Sequence, residues 1–537
     1  MTGCNKNPAF HALVGISLLA FLFLGSFLQR TTTELFASPD ETAVMLFARA
    51  WSWENGFRLP YDLPQGLDRF SGLHARSMVR QGDVLVPVGF LGMPMLVGLA
   101  ESLGRGWGAY ATLILVMSCA YPLWRLARGA GRRTGVMTVL LFLSFPTVLL
   151  YANRGLFPNL AALALALWAV WGAGKIASAD SGPGVWIAAA WSGIALGLAL
   201  LIRPVEAVWI IPWIAAAPWI LSSSSRPPAL RGSWRRLVLT GTAALLVCAC
   251  GVFAAMKTYP FHSSLFDQPV IGYLLHDAAG AAAYAGAVDA GSSGWTSVLP
   301  FGLHPRAMWE NARSYFFGFL GLWTCAALLG SFVRLRRRWG KCETVFLLLT
   351  GWMLASLLVF YGQSLYADNI RGNATLGNSF LRYMLPLAPI MAYGCALFID
   401  ALWSARARGK LLGASAALFF IFLGGTVAFA HDEESILRTR HELRRYELIR
   451  GQAERTVAEG AVILSERSDK IFASGPFMAV SPIPEDAVLD ALSSSDANVY
   501  LFHRTLDGGD LECALTERFG MPPVPLFSLD NETFYRL

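Results

Sequence analysis

Residues 84–103 read VLVPVGFLGMPMLVGLAESL, and whether this stretch crosses a membrane decides the topology of everything after it. It is apolar and long enough for roughly 30 Å of hydrocarbon. It also holds Pro87, Pro94, several glycines and Glu101, so periodicity alone does not settle it. Charge does. If the stretch stays on one surface, the alternating loops collect Arg125, Arg128, Arg132, Arg133, Lys175, Arg226, Arg231, Arg235, Arg236, Arg334, Arg336, Arg337, Arg338, Lys341, Arg406, Arg408 and Lys410 on a single side. If it crosses, those loops move outside while the start of the chain stays in, against the positive-inside tendency. An interfacial or re-entrant helix is therefore expected. The amino terminus is then cytoplasmic, and residues 30–107 and everything after 430 lie outside.

Working outward, further apolar runs fall near residues 10–28, 108–128, 134–150, 157–174, 185–202, 205–221, 237–256, 314–333, 343–361, 381–401 and 411–430. With 55% hydrophobic and 15% charged residues, the 537-residue chain carries more apolar surface than one soluble core hides. Its mean hydropathy of +0.47 agrees. The expected fold is an all-α polytopic membrane protein of about eleven transmembrane helices over residues 1–430. It has interfacial helices in the first outer loop (30–107) and a second large outer loop (257–311). The first run is read as an uncleaved helix rather than a signal peptide, because its flank is weakly basic and many spans follow.

A net charge of +7 raises nucleic acid as a partner, but no basic patch stands beside reading elements, so the charge is read as topology. Eight scattered cysteines suggest neither a disulfide framework nor a metal site; Cys248 and Cys250 are read as packing residues inside a span. Residues 431–537 are expected to form a charged helical connector, with Glu442 near Arg445 and Glu447 near Arg450, then a small extracytoplasmic α/β domain. In that domain 461–465 and 497–503 read as strands and 510–519 as a helix.

Chemistry is expected outside. Ser38-Pro39-Asp40-Glu41 makes a good helix start, and its acids either cap that helix or supply a general base for an acceptor hydroxyl. A departing phosphate needs cations, and Arg76, Arg80, Arg154, Arg203, His262, Arg306, Arg371 and Arg382 fall on the same side. Arg203 (in LIRPVE, with Glu206) and Arg382 (in FLRYMLP, with Tyr383) sit where helices meet the interface, where they bind phosphate, snorkel or, for Arg203, pair with Glu206. His262 and His276 match no compact ligand pattern; no cofactor is expected, and metal dependence stays open. No nucleotide-phosphate loop or dinucleotide fingerprint occurs, which suits a lipid-phosphate donor better than a nucleotide sugar.

Together, the acidic first loop (Ser38 to Glu41, leading to Asn55-Gly56), the 197–204 stretch ending LIRP, and RYMLP from Arg382 resemble the GT-C superfamily of membrane glycosyltransferases. The resemblance is to the branch of protein O-mannosyltransferases and lipid A aminoarabinose transferases. The tail segment Val462 to Arg467, followed by Asp469-Lys470, looks like the tails of bacterial members. The resemblance implies transfer, with inversion, of one sugar from a polyprenyl-phosphate carrier to a lipid, glycan or protein hydroxyl in the cell envelope. It implies Asp40 as the loop acid, with Glu41 sharing or holding the role, and Arg203 and Arg382 near the donor phosphate. A basic residue beside a proline pair in the first loop is missing, so Arg76 or His74 would take its place.

Two other readings compete. A transporter or flippase of a lipid-linked sugar should show ionisable residues at mid-span and related halves, neither of which is evident. A non-catalytic protein of the same fold would use its acidic loop only as a cap.

Overall fold

Outside residues 84–103, each apolar run read from the sequence is helical along most of its length. The computed structural model describes residues 8–52, 54–64, 66–68, 70, 72–176, 183–221, 234–258, 303–337, 340–363, 374–405, 408–431, 434–504, 506 and 509–537. Among these, seven helices are long and apolar enough to cross a membrane, or nine if each of two bent pairs is one span. The apolar helices Ala12–Gly25 and Pro204–Pro218 are shorter. The chain is thus a multi-pass membrane protein.

Bends follow from composition. Arg132–Leu143 and Pro146–Asn153 meet at 51°, where Pro146 has no N–H to continue the ladder. Close helix approach follows from small residues: a Cβ on Gly330 would lie 2.0 Å from the Gly394 carbonyl, so the Gly321–Arg337 and Ala388–Trp403 helices touch backbone to backbone there. In lipid, where no hydrophobic force draws helices together, such close packing is what holds them.

Contacts divide the chain into two compact units. The first takes in Met1–Leu28, Tyr110–Val252 and Leu275–Arg438, and holds most of the apolar helices. The second takes in Gln29–Ala109, Phe253–Leu274 and Thr439–Leu537.

Within the second unit, β1 (Leu59–Pro60), β2 (Met78–Gln81) and β3 (Val84–Pro87) form an antiparallel sheet in the order β1-β3-β2, with Val79 opposite Val86. The tail adds β4 (Val462–Ser465), β5 (Met478–Val480), β6 (Val499–Arg504), β7 (Val524–Leu529) and β8 (Glu532–Arg536). They pair in the order β5-β4-β6-β8-β7, parallel across β5-β4-β6 and antiparallel across β6-β8-β7. One core contains Phe47 and Phe57 from the first loop with Phe472, Phe502 and Phe534 from the tail, all essentially fully buried. At roughly 1.5–3 kcal/mol for each large apolar side chain, this shared burial joins loop and tail into one body.

Two expectations are corrected. Residues 84–103 are not one helix: Val84–Pro87 is the central strand of the small sheet, and only Gly92–Glu101 is helical. Ten residues reach about 15 Å, half of what a crossing requires. The charged helix Ile436–Thr456 is not simply a solvated connector, because Ile449 and Ala453 enter the same core as Phe472. Arg445 pairs with Glu442 as expected, and also with Asp530 and Glu532, whereas Arg450 pairs with Glu454 rather than Glu447.

Candidate active site

In the second unit the helix Pro39–Ala50 begins as its sequence suggests: Ser38 is the cap, accepting from the Asp40 N–H at 3.3 Å, and Pro39 opens the first turn. The capping role therefore falls to Ser38. Its two acids then diverge. Glu41 turns inward and is 3% exposed, while Asp40 is exposed and accepts a 2.6 Å hydrogen bond from the Ser77 hydroxyl. Ser77 sits at φ +61, a left-handed conformation that few L-residues adopt without support.

The support comes from its neighbour. The Arg76 backbone N–H donates to Asp469 Oδ2 at 2.8 Å, and its Nε and Nη2 donate to Oδ1 at 2.9 and 2.6 Å. Nη2 also reaches the Arg467 carbonyl at 2.6 Å. Next along the tail, Lys470 Nζ donates to the Ala37 carbonyl at 2.7 Å. The tail thus grips the acidic loop on both sides of Asp40. Arg76, expected as a phosphate contact, is largely occupied with this clamp. His74 is half-buried, with Nδ1 2.8 Å from the Ala75 carbonyl. Burial holds its pKa below the usual histidine value, so it stays neutral where a phosphate would want a cation.

A separate cluster forms in the first unit. Arg203, at the turn after Pro183–Ile202, donates from Nε to Glu206 at 2.9 Å and from Nη2 to the Tyr361 hydroxyl at 2.6 Å. Both members of this ion pair are nearly buried, and Trp209 Nε1 donates to the other Glu206 oxygen. Of the readings open for Arg203, pairing with Glu206 is realised. Tyr361 stacks on Tyr383 with centroids 4.4 Å apart, and the Arg203 guanidinium lies 5.2 Å from the Tyr383 ring.

Arg382 lies over Tyr383 at 5.3 Å and over Phe157 at 4.4 Å, and Arg154 lies over Phe157 at 4.7 Å. Two rings therefore gather Arg154, Arg203 and Arg382, three of the expected cations, each by cation–π attraction. Sequence reasoning missed Phe157 and Tyr361. The available signal was their position at helix ends, where aromatic residues concentrate at a membrane interface.

The other candidates stand apart. Arg80 is buried, donating to the Asp68 and Phe70 carbonyls. Arg306 is exposed and pairs with Glu310. His262 and Arg371 lie outside the described residues. Among the described residues no group of three or more metal-ligating side chains occurs.

No protein-family model matches the chain, and no curated protein matches it. Among solved structures it is similar to ArnT from Cupriavidus metallidurans bound to undecaprenyl phosphate. The TM-score is 0.59 at 12% identity, over 99% of this chain and 98% of that one. The apo state of the same protein gives 0.58 at 12% identity, over 98% of each chain. At this identity the likeness is one of fold, and the GT-C-type fold expected from the sequence is the one observed.

Proposed function

We propose that this chain is an inverting GT-C-type glycosyltransferase, moving one sugar from a polyprenyl-phosphate donor to a lipid, glycan or protein hydroxyl on the outer face. The observation that carries this reading is the gathering of Arg154, Arg203 and Arg382 about Phe157 and Tyr383. A cluster of guanidiniums suits the phosphate of a lipid carrier. The fold it shares with an ArnT bound to undecaprenyl phosphate points to the same class of donor.

In the proposed step Asp40 takes the acceptor hydroxyl's proton as the new bond from that oxygen to the anomeric carbon forms. The bond from that carbon to the phosphate oxygen breaks, and polyprenyl phosphate leaves as an anion. No acid is needed for this leaving group, so one carboxylate suffices. Exposure favours Asp40 over the buried Glu41 as the base. The positive-inside tendency of the basic loops supports an amino terminus in the cytoplasm and a carboxyl-terminal region outside.

Undecaprenyl phosphate titrated into the purified full chain tests the donor class. Saturable binding that weakens in Arg382→Ala is expected. Binding equal to that of undecaprenol, which lacks the phosphate, contradicts it.

A further inference from the structure

The first unit contains a cavity of about 420 Å³ that the proposed transfer does not use. This is a usual size for a small-molecule site, roughly 300–1,000 Å³. Its wall is apolar, with Leu163, Ala166 and Ile390 among the lining residues, and its charged lining residues are Arg334 and Glu343, paired at 3.1 Å. That charged end lies where the Gly321–Arg337 helix finishes and the Lys341–Tyr361 helix starts. Exposed Arg336 and Arg337 flank it.

We propose that this cavity holds one acyl chain of an anionic phospholipid from the leaflet at the basic-loop end, with the lipid phosphate at Arg334. Three observations converge. Cys342 and Met353, on one helix, both line the cavity; their eleven-residue separation is about 16 Å, close to one leaflet's share of a roughly 30 Å hydrocarbon layer. The mouth is basic, as in pockets between transmembrane helices that take anionic headgroups. Finally, Trp213 lines the cavity with a buried Nε1 that has no hydrogen-bond partner among the described residues. Its ring packs edge-on to Phe346, one helical turn inward of Cys342, the depth at which an ester carbonyl lies below its phosphate. An acyl ester supplies the missing acceptor.

The test is native mass spectrometry of the purified full chain with dioleoyl phosphatidylglycerol, dioleoyl phosphatidylcholine and glycerol phosphate. Retention of phosphatidylglycerol is expected to exceed that of the choline lipid, with glycerol phosphate not retained. Arg334→Gln should lower retention about fivefold, the worth of one basic residue near an anionic headgroup. Trp213→Phe keeps the ring and removes only the donor, so it decides the matter should Arg334→Gln prove unstable. Equal retention of the two lipids, glycerol phosphate held as well as the lipid, or no loss in either variant overturns the proposal.

Discussion

Arg76 and Asp469 are 393 residues apart in sequence, yet the backbone amide and guanidinium of the first both close on the carboxylate of the second. The Asp469 side chain is 1% exposed and that of Arg76 29%. A carboxylate this deep is tolerated because several donors meet it at once. Arg76→Ala removes most of them and leaves the charge buried. Loss of about 3 kcal/mol is expected, the low end for a broken buried pair because Arg76 is itself partly solvated. Thermal unfolding in detergent measures it. Arg76→Lys should rescue little, since an ammonium cannot reproduce the planar fork; a wild-type midpoint in both variants removes the clamp.

The two acids of the first loop should separate on substitution. Asp40→Asn is expected to lower sugar transfer by about 10²–10⁴, the usual contribution of a general base, while leaving the unfolding midpoint near wild type. Glu41→Gln alters a buried group and should act on stability more than on turnover. Transfer rates and melting curves on the same preparations distinguish them. A fully active Asp40→Asn enzyme means the base is elsewhere.

How far these assignments could be read from sequence depends on the distance over which each is encoded. Spans such as Pro158–Ile176 were legible because hydropathy is a local property, and 510–519 was legible as a helix because it is bounded by turn residues. The Arg203 to Glu206 ion pair is three residues long and was visible as an alternative. Val84–Pro87 was misread as part of an interfacial helix because four apolar residues ahead of an apolar helix look like its first turn, and what makes them a strand is pairing with Met78–Gln81. Strands β5, β7 and β8 went unread for a similar reason, being short and defined by their neighbours in the sheet. The aromatic chain through Tyr361, Tyr383 and Phe157 draws on three distant helix ends, which no single window contains.

Within that chain, Arg382 and Arg203 should behave differently. Arg203 is tied to Glu206 and Tyr361, so Arg203→Ala strands a buried carboxylate and should cost about 3–5 kcal/mol of stability. Arg382 lies over two rings and donates to the Ser379 hydroxyl at 3.3 Å, and Arg382→Ala should weaken undecaprenyl phosphate binding about 10-fold or more, the 1.5–3 kcal/mol of a charged hydrogen bond. Calorimetric unfolding read beside lipid-phosphate titration separates the two effects. Equal losses of stability in both variants contradict the division.

Acid should destabilise the second unit in two steps. His74 has its pKa depressed by burial, so the unfolded chain takes up the proton first and stability falls as pH drops below about 6.5 toward the depressed value. Burial alone would raise the Glu34 carboxyl, but the hydrogen bond and charge of Arg49, with Arg105 adding to them, hold it below its usual 4.5. Its contribution is present above that pH and is lost as pH falls through the lowered value. His74→Gln should flatten the upper step and leave the lower one. Unfolding midpoints between pH 2 and 8 record this, and an unchanged upper step in the variant rejects the assignment.

Gly56 is the position where backbone geometry and space make the same demand. Its φ is +62, in the left-handed region, and a Cβ there would lie 2.7 Å from Thr258 Oγ1 and 2.8 Å from the Thr258 nitrogen. The close approach has a purpose, because Phe57 N–H donates to Thr258 Oγ1 at 3.0 Å and Arg58 Nε to the Thr258 carbonyl at 3.1 Å. These bonds satisfy the end of the Trp234–Thr258 helix and seat Phe57 in the shared aromatic core. Gly56→Ala therefore adds about 1–2 kcal/mol of left-handed strain and pushes the loop off the helix end. Thr258→Ala removes the acceptor and the hydroxyl's share of the clash, while the contact with the backbone nitrogen stays. If the close approach is the cause, Gly56→Ala combined with Thr258→Ala should unfold at a midpoint above the sum of the two single losses. Simple additivity between them would mean that φ and the backbone contact, not the Thr258 hydroxyl, keep the glycine.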